Sequence, residues 1–332
     1  MRYRRFGNTG LEVSEIGFGC SRLGGIFAQN GSSKEALALL RNAGDAGVTF
    51  FDTADMYSQG EAEKLLGQAF RFQRDKIILA TKGGYCLPAQ RKLIARVKPV
   101  LKPIINALGI KRKNLPAMAS GSLSQNFSAA YLIGALEGSL KRLKTDYIDI
   151  YQLHSPPAAV IEAAEFVDTL ETLKRQGKIR FWGIATDSAA DAAAALKLPQ
   201  VSSVQLGFGL LDLEALELVL KRVGENGPGI IARGCFGGGF LKESLTQEQL
   251  KATTGKWERI LAYRGFAVEH NRSTLELALQ FVLRAPAVSV ALLGMRTEEH
   301  LRGNLDYYSC KPLSVAEYGG LSFDAPAGVR VV

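Results

Sequence analysis

The sequence predicts an α/β chain folded as a (β/α)8 barrel. Three observations carry that reading. Eight short apolar runs rich in β-formers recur along the 332 residues, several of them apolar throughout, as strands covered on both faces must be. A helical pattern follows each run. Glycines stand where helices should stop before the next strand, at Gly47, Gly177 and Gly227, as left-handed caps would require. Eight βα units favour a closed barrel over an open sheet.

The opening segment Arg4–Val13 contains Gly7-Asn8 and Thr9-Gly10 and reads as a β-hairpin plugging the barrel bottom. Strands are then expected at Glu15–Phe18, Thr49–Asp52, Lys76–Lys82, Tyr147–His154, Ile179–Ile184, Ser203–Leu206, Gly229–Ala232 and Val288–Leu293. Helices are expected at Lys34–Ala46, with Leu37, Leu40 and Ala43 on its apolar face, and at Ala62–Phe70, Ala129–Leu143 and Val160–Gln176. Ala189–Leu196, Leu213–Val223, Leu275–Leu283 and Glu298–Leu305 complete the set.

Two connections exceed a plain βα unit: one runs from Gly83 to about Ser128 after the third strand, the other from Arg233 to about Ser273 after the seventh. Both leave C-terminal strand ends, so both belong to the face where barrels carry their active sites. The expected organisation is one domain over 1–332, with 84–128 a basic insertion loop on that face. Leu93, Ile94, Val97, Val100, Leu101, Ile104, Ile105 and Leu108 have helical spacing. Pro99 and Pro103 interrupt it, so two short helices are expected there, the second starting near Pro103.

Composition is ordinary for a globular protein, 47% hydrophobic and 22% charged. No apolar run approaches the roughly 20 residues that a membrane helix needs, and no signal-peptide stretch follows the charged start. Cys20, Cys86, Cys235 and Cys310 are scattered without a CxxC pair, which reads as free thiols in a reducing, cytoplasmic compartment. Three histidines, none spaced with a cysteine, argue against zinc. The net charge is +9, and eight of those charges lie between Gly84 and Ser122 with no acidic residue among them. The excess is therefore local, without the interleaved aromatics or module of a nucleic-acid-binding surface.

Function is legible at the strand ends. Asp52, Lys82 and His154 each close a strand, and Tyr57 follows Asp52 by one turn. A parallel barrel opens all its C-terminal strand ends onto one face, so these residues can meet. A phenol, an ammonium, a carboxylate and an imidazole together form a proton-donating set. Hydride arriving at a carbonyl carbon leaves charge on oxygen, which an acid must protonate. A free phenol, with a pKa of about 10, is a weak acid at neutral pH, and a neighbouring ammonium lowers that value. Lys82 supplies the cation, Asp52 holds it, and His154 can polarise the carbonyl. Each residue also has an ordinary alternative: a loop cap, a surface aromatic, a solvated lysine, a structural histidine.

Several stretches carry a resemblance. Tyr3 to Ser14, Phe51-Asp52-Thr53-Ala54-Asp55-Met56-Tyr57, Thr81-Lys82, the run Ser139 to His154, and Leu293-Gly294-Met295-Arg296-Thr297 continuing to Asn304 occur in an order and spacing similar to the aldo-keto reductase superfamily. The likeness covers most of the chain. It implies a (β/α)8 TIM barrel and NAD(P)H-dependent reduction of an aldehyde, ketone or sugar-type carbonyl, or oxidation of the alcohol. Tyr57 would be the general acid/base, with Asp52, Lys82 and His154 completing the tetrad. Gln205 would contact the nicotinamide amide, Asn304 the adenine, and the loop after the seventh strand would cover the pyrophosphate.

Departures from the family pattern redirect some of these roles. Ala185 stands where relatives have a serine, so Thr186 or Asp187 must hold the carboxamide. Arg233 replaces an aromatic that often stacks on the nicotinamide. The Gly237-Gly238-Gly239 run could let backbone approach a pyrophosphate, or could simply be a turn. Arg296, just ahead of the last helix, suits a 2′-phosphate beside a helix N-terminus. NADPH is therefore the expected cofactor, with NADH possible because His300 replaces the usual Arg or Gln. The expected partner is a small carbonyl or alcohol substrate, anionic if the basic insertion faces the cleft; no nucleic acid and no membrane span are expected. A reading from another class is a cofactor-sensing binding or regulatory protein with vestigial reductase activity, its basic insertion gripping a partner.

Overall fold

The computed structural model describes residues 1–24, 32–86, 124–224 and 226–322. A short antiparallel hairpin comes first, β1 (Tyr3–Arg5) and β2 (Glu12–Ser14). The barrel strands follow: β3 (Ile16–Gly19), β4 (Phe50–Asp52), β5 (Ile78–Gly83), β8 (Ile148–His154), β9 (Ile179–Ala185), β10 (Ser203–Gly207), β11 (Gly229–Arg233) and β12 (Val288–Gly294). They close in that order, β12 returning to β3, and the pairs β4–β5, β5–β8, β8–β9, β10–β11 and β11–β12 are parallel. Between β5 and β8 a second small ladder forms, β6 (Tyr85–Cys86) against β7 (Ser124–Gln125). Each expected barrel strand is present to within two residues.

The helices around the strands are α1 (Ser33–Asp45), α2 (Glu61–Ala69), α3 (Ala129–Leu143), α4 (Ala158–Ala163), α5 (Val167–Arg175), α6 (Ala189–Ala195) and α7 (Glu214–Leu218). They continue with α8 (Gln247–Thr253), α9 (Trp257–Glu269), α10 (Thr274–Arg284), α11 (Glu298–Ser309) and α12 (Val315–Ser322). Their starts have local causes. Ser32 and Thr246 close capping boxes on Glu35 and Gln249, and Ser128, Ser188 and Ser273 cap α3, α6 and α10.

Three expectations about elements need correction. The single helix over Val160–Gln176 is two, because Ala164 turns left-handed at φ 53°. The break seats Phe166 edge-on against Trp182, ring centroids 5.9 Å apart, and that burial outweighs helix continuity. Leu213–Val223 is likewise a short helix plus a 3-10 turn, broken at the buried Val219. Gly227 is not left-handed; a Cβ there would meet Val223 Cγ1 at 2.8 Å, so close approach rather than handedness requires glycine. The long connection after β11 contains α8 and α9, tied back by Tyr263, whose hydroxyl donates to the Leu210 carbonyl at 2.9 Å. The helices expected around Pro99 and Pro103 lie outside the described residues.

The described residues group into two compact units. One gathers those of Met1–Gly17, Thr186–Leu293 and Glu299–Val332; the other gathers those of Phe18–Ala185 and Gly294–Glu298. In the first, the hairpin abuts the start of β11: Phe6 is fully buried and Asn8 donates its amide to the Gly227 carbonyl at 3.0 Å. In the second, Phe51 stacks on Phe18 with centroids 5.8 Å apart and packs tilted against Phe70 at 4.6 Å. Asp149, on the outer side of β8, is buried and accepts from Arg74 at 2.6 Å, from Arg180 at 2.8 Å and from the Leu79 amide at 2.9 Å. Such a carboxylate is acceptable inside because both oxygens accept and two of the three donors are cationic. Among the described residues no helix is long and apolar enough to cross a membrane.

Gly7 concentrates the hairpin's dependence on sequence. Its φ is +53°, and a Cβ would lie 2.3 Å from the Gly229 amide nitrogen. Gly7→Ala should destabilise the fold by about 2 kcal/mol, the usual cost of overpacking, measured as a lowered denaturation midpoint with an unchanged slope.

Candidate active site

Strand register brings Asp52, Lys82 and His154 to neighbouring strand ends, and a 3-10 turn after β4 carries Tyr57. Asp52 pairs with Ala80, and Lys82, two residues further along β5, pairs with Gln152 on β8. Because side chains alternate, Gln152 and His154 point to the same side of β8. Lys82 Nζ lies 2.5 Å from Asp52 Oδ2 and 2.9 Å from the Thr53 carbonyl, both acceptors for its protons. The amide of Gln152 donates to Asp52 Oδ1 at 3.3 Å. Lys82 and Asp52 are 1% and 2% exposed, so the pair is dry.

Burial works against the Lys82 ammonium, yet the Asp52 charge and hydrogen bonding with Asp52 and Tyr57 outweigh it, and the pKa ends above its ordinary value. The ammonium also sits 5.2 Å from the Tyr57 ring centre. Tyr57 opens a tight 3-10 turn whose next two residues, Ser58 and Gln59, are held left-handed at φ 49° and 61°. Ser58 anchors the turn by donating its hydroxyl to the Leu23 carbonyl at 2.8 Å. Non-glycine residues in that region are strained, and such strain gathers at sites. His154 completes the group, edge-on to Tyr57 at 5.8 Å and to Tyr85 at 4.8 Å.

Asp52, Tyr57, Lys82 and His154 thus lie close together. Gln152 and Tyr85 were not anticipated. Gln152 was findable, since it shares a strand face with His154; Tyr85 depends on how the chain leaves β5, which no periodicity encodes.

Beneath the tetrad lies a second polar cluster. Glu63 is fully buried and accepts from Thr81 Oγ1 at 2.7 Å and Arg142 Nε at 2.5 Å. Asp55 donates its backbone amide to the Lys82 carbonyl at 3.2 Å, while its buried Oδ1 has no hydrogen-bond partner among the described residues. Burial first, and the Glu63 charge second, push the Asp55 carboxyl up to about 7; Arg142, the Met56 amide and Lys82 pull it down. Burial and a neighbouring carboxylate both disfavour the charged form, and Arg142 offsets them only in part.

The residues expected to hold a cofactor are placed as follows. Thr186 is buried; its amide donates to the Gln205 carbonyl at 2.8 Å, and its hydroxyl lies 3.3 Å from the same oxygen. Arg233 donates to the Thr186 carbonyl at 2.7 Å and to Asp187 Oδ1 at 2.8 Å, which fixes the guanidinium. Gly237 and Gly238 are left-handed at φ 57° and 67°, and a Cβ on Gly238 would meet nothing closer than 4.0 Å. Gly294 is exposed, and Arg296, half-buried, precedes α11. Asn304 is buried on α11, and its Nδ2 has no partner among the described residues. A buried amide left with an open donor fits a bound group that accepts from it.

A family model described as "Aldo/keto reductase family" matches residues 15–321. The chain belongs to the aldo/keto reductase family. Aldo/keto reductases are generally NAD(P)H-dependent carbonyl reductases. This one is 30% identical over 331 residues to the uncharacterized oxidoreductase YqkF of Bacillus subtilis (strain 168), covering 97% of the chain and 95% of that protein. It is 28% identical to the aldo-keto reductase YhdN of the same organism, over 89% of the chain and 85% of its relative. Among solved structures, aldo-keto reductase AKR11C1 from Bacillus halodurans in its holo form superposes with a TM-score of 0.77 at 27% identity, covering 99% of this chain and 98% of that one.

Asp55 makes stability pH-dependent. In the unfolded chain its carboxyl ionises near pH ~4, whereas in the fold it holds its proton to about 7. The native state therefore binds more protons between those values, and stability falls as pH rises through that window, by about 1.4 kcal/mol per pH unit at most. Asp55→Asn should flatten this slope, seen as a pH-independent gain in Tm over the wild type above about pH 7.

Proposed function

We propose that this aldo/keto reductase reduces an aldehyde, ketone or sugar-type carbonyl, or oxidises the corresponding alcohol, with Tyr57 as general acid/base and NADPH as cofactor. The observation that carries the reading is the dry Lys82–Asp52 pair next to the Tyr57 hydroxyl. When bound, the nicotinamide supplies the hydride. The chain's own residues handle the proton and the developing charge.

As the carbonyl oxygen gains charge, Tyr57 Oη delivers its proton. The Lys82 ammonium stabilises the phenolate left behind, and Asp52 keeps that ammonium charged and aimed. Gln152 holds the far oxygen of Asp52, which fixes the carboxylate's rotation. His154 donates to the carbonyl oxygen, an arrangement worth most where water is excluded. In the oxidative direction Tyr57 accepts the alcohol proton through the same contacts.

For the cofactor, Thr186, Gln205 and Arg233 would hold the carboxamide end, with Arg233 presenting a fixed guanidinium plane. Gly237 and Gly238 would pass close to the pyrophosphate. Gly294 and Arg296 would flank the adenosine phosphate, and Asn304 would spend its open donor on the adenine. The half-buried Arg296 beside a helix start is what supports NADPH over NADH.

Two experiments test these assignments. Tyr57→Phe should lower kcat by about 10²–10⁴-fold, the scale of one lost general acid, while NADPH titration shows unchanged affinity; full turnover in that variant would remove the mechanism. Arg296→Leu should weaken NADPH binding about tenfold or more, the scale of one charge-assisted hydrogen bond, and leave NADH binding where it was.

A further inference from the structure

The ends of the long insertion meet beside His154. There β6 and β7 form a two-residue ladder, Tyr85 opposite Gln125 and Cys86 opposite Ser124. The side-chain amide of Gln125 then reaches out of the ladder. Its Nε2 donates to the Ser155 carbonyl at 2.7 Å and to the His154 carbonyl at 3.1 Å. Two consecutive carbonyls can converge on one amide only if the chain turns sharply between them. It does: Ser155 is left-handed at φ 50°, a conformation that side chains other than glycine rarely adopt. The Ser155 amide is pinned from the other side by the Ala185 carbonyl at 2.7 Å.

The other ladder strand acts on the same residue. Tyr85 lays its ring edge-on to the imidazole at 4.8 Å, and its own carbonyl accepts from the Tyr131 hydroxyl at 2.6 Å. The amide of Asn126 donates to the Gly84 carbonyl at 2.8 Å, so the neck is held on both sides. His154 therefore has its backbone fixed by Gln125 and its ring bounded by Tyr85 and Tyr57.

We propose that Gln125 is a positioning residue: its amide holds the strained His154–Ser155 turn and so sets the angle at which the His154 imidazole faces the substrate oxygen. The role of His154 here rests on the function proposed above, but its placement does not. A strained turn relaxes when a constraint is removed, because the conformation persists only while its surroundings over-determine it. Loss of the Gln125 amide frees two carbonyls, the turn moves toward ordinary backbone, and the imidazole swings with it. A displacement on the order of 1 Å at a reacting geometry costs about a hundredfold in rate.

The test uses the full chain with NADPH bound and reads the imidazole directly. Three histidines are present, and the His154 signal in an imidazole NMR spectrum is assigned by its loss in His154→Gln. Gln125→Leu keeps the bulk and removes both donors. It should shift the His154 resonance and its titration midpoint, and lower kcat about ten- to hundredfold, with NADPH affinity and Tm near wild type. Gln125→Glu, which sets a carboxylate against two carbonyls, should shift the resonance further. Should either variant unfold, Gln125→Asn, which keeps the amide but cannot span both carbonyls, is read the same way. A folded variant with an unmoved His154 resonance overturns the proposal, whatever its turnover. A moved resonance in a protein whose wild type reduces no carbonyl substrate would uphold the positioning and remove the proposed function instead.

Discussion

A lysine ammonium enclosed by protein is the constraint on which the rest of this site depends. An isolated buried charge is prohibitive, and the Asp52 carboxylate at 2.5 Å makes Lys82 tolerable. Breaking such a pair is far more costly than never having built it, because the surviving charge stays buried. The carboxylate must in turn be held, which Gln152 does, and the ammonium needs a further acceptor, which the Thr53 carbonyl supplies. The three residues come from three adjacent parallel strands, so the pair also fixes the register of β4, β5 and β8 where they end. Stability and chemistry are not separable here: the arrangement that makes the ion pair affordable also aims a cation at Tyr57.

Around this rigid centre the backbone is strained at two places. Ser58 and Gln59 follow Tyr57, and Ser155 follows His154, all with positive φ. In both cases a side-chain hydrogen bond spans the turn: Ser58 to the Leu23 carbonyl and Gln125 to the carbonyls of His154 and Ser155. His154, read as carbonyl polariser, ends β8, and Tyr57, read as proton donor, opens the 3-10 turn after β4; each turn is held by a contact from a segment distant in sequence. The polar cluster of Asp55, Glu63, Thr81 and Arg142 extends this support below the tetrad, tying α2 and α3 to β5. Its excess of negative charge is relieved by a proton on Asp55, which couples the support to pH near neutrality.

The barrel is legible because its strands are mostly apolar runs and several helices, among them α1, α3, α6, α8 and α10, begin at a Ser or Thr that caps them. Asp52, Lys82 and His154 are legible because they stand at strand ends, which parallel topology gathers, whereas Tyr57 lies in the 3-10 turn beyond β4. Gln152 belongs to the same strand pattern, on the same side of β8 as His154. The break at Ala164 was not legible: the helical pattern of Val160–Gln176 runs through it, and only the pocket made by Trp182 gives Phe166 a better place than helix continuity offers. The two helices after β11 were hidden for a related reason, since their anchors, Tyr263 on the Leu210 carbonyl and Lys256 on Asp212, are contacts to another loop.

The residues read in order settle the alternation of strands and helices, the closed barrel, the family, and which strand ends bear an acid, an amine and an imidazole, with a phenol in the turn past one of them. These are properties of residue type and spacing, and spacing along a chain is one-dimensional information. The tertiary structure alone decided that Asp52 is gripped by Gln152, that Asp55 and Glu63 confront a single Arg142, and that Gln125 crosses to the turn beyond His154. Such contacts join residues whose separation in sequence carries no period. They exist because closing a barrel sets distant strand ends a few ångströms apart, where burial favours polar groups that find a partner.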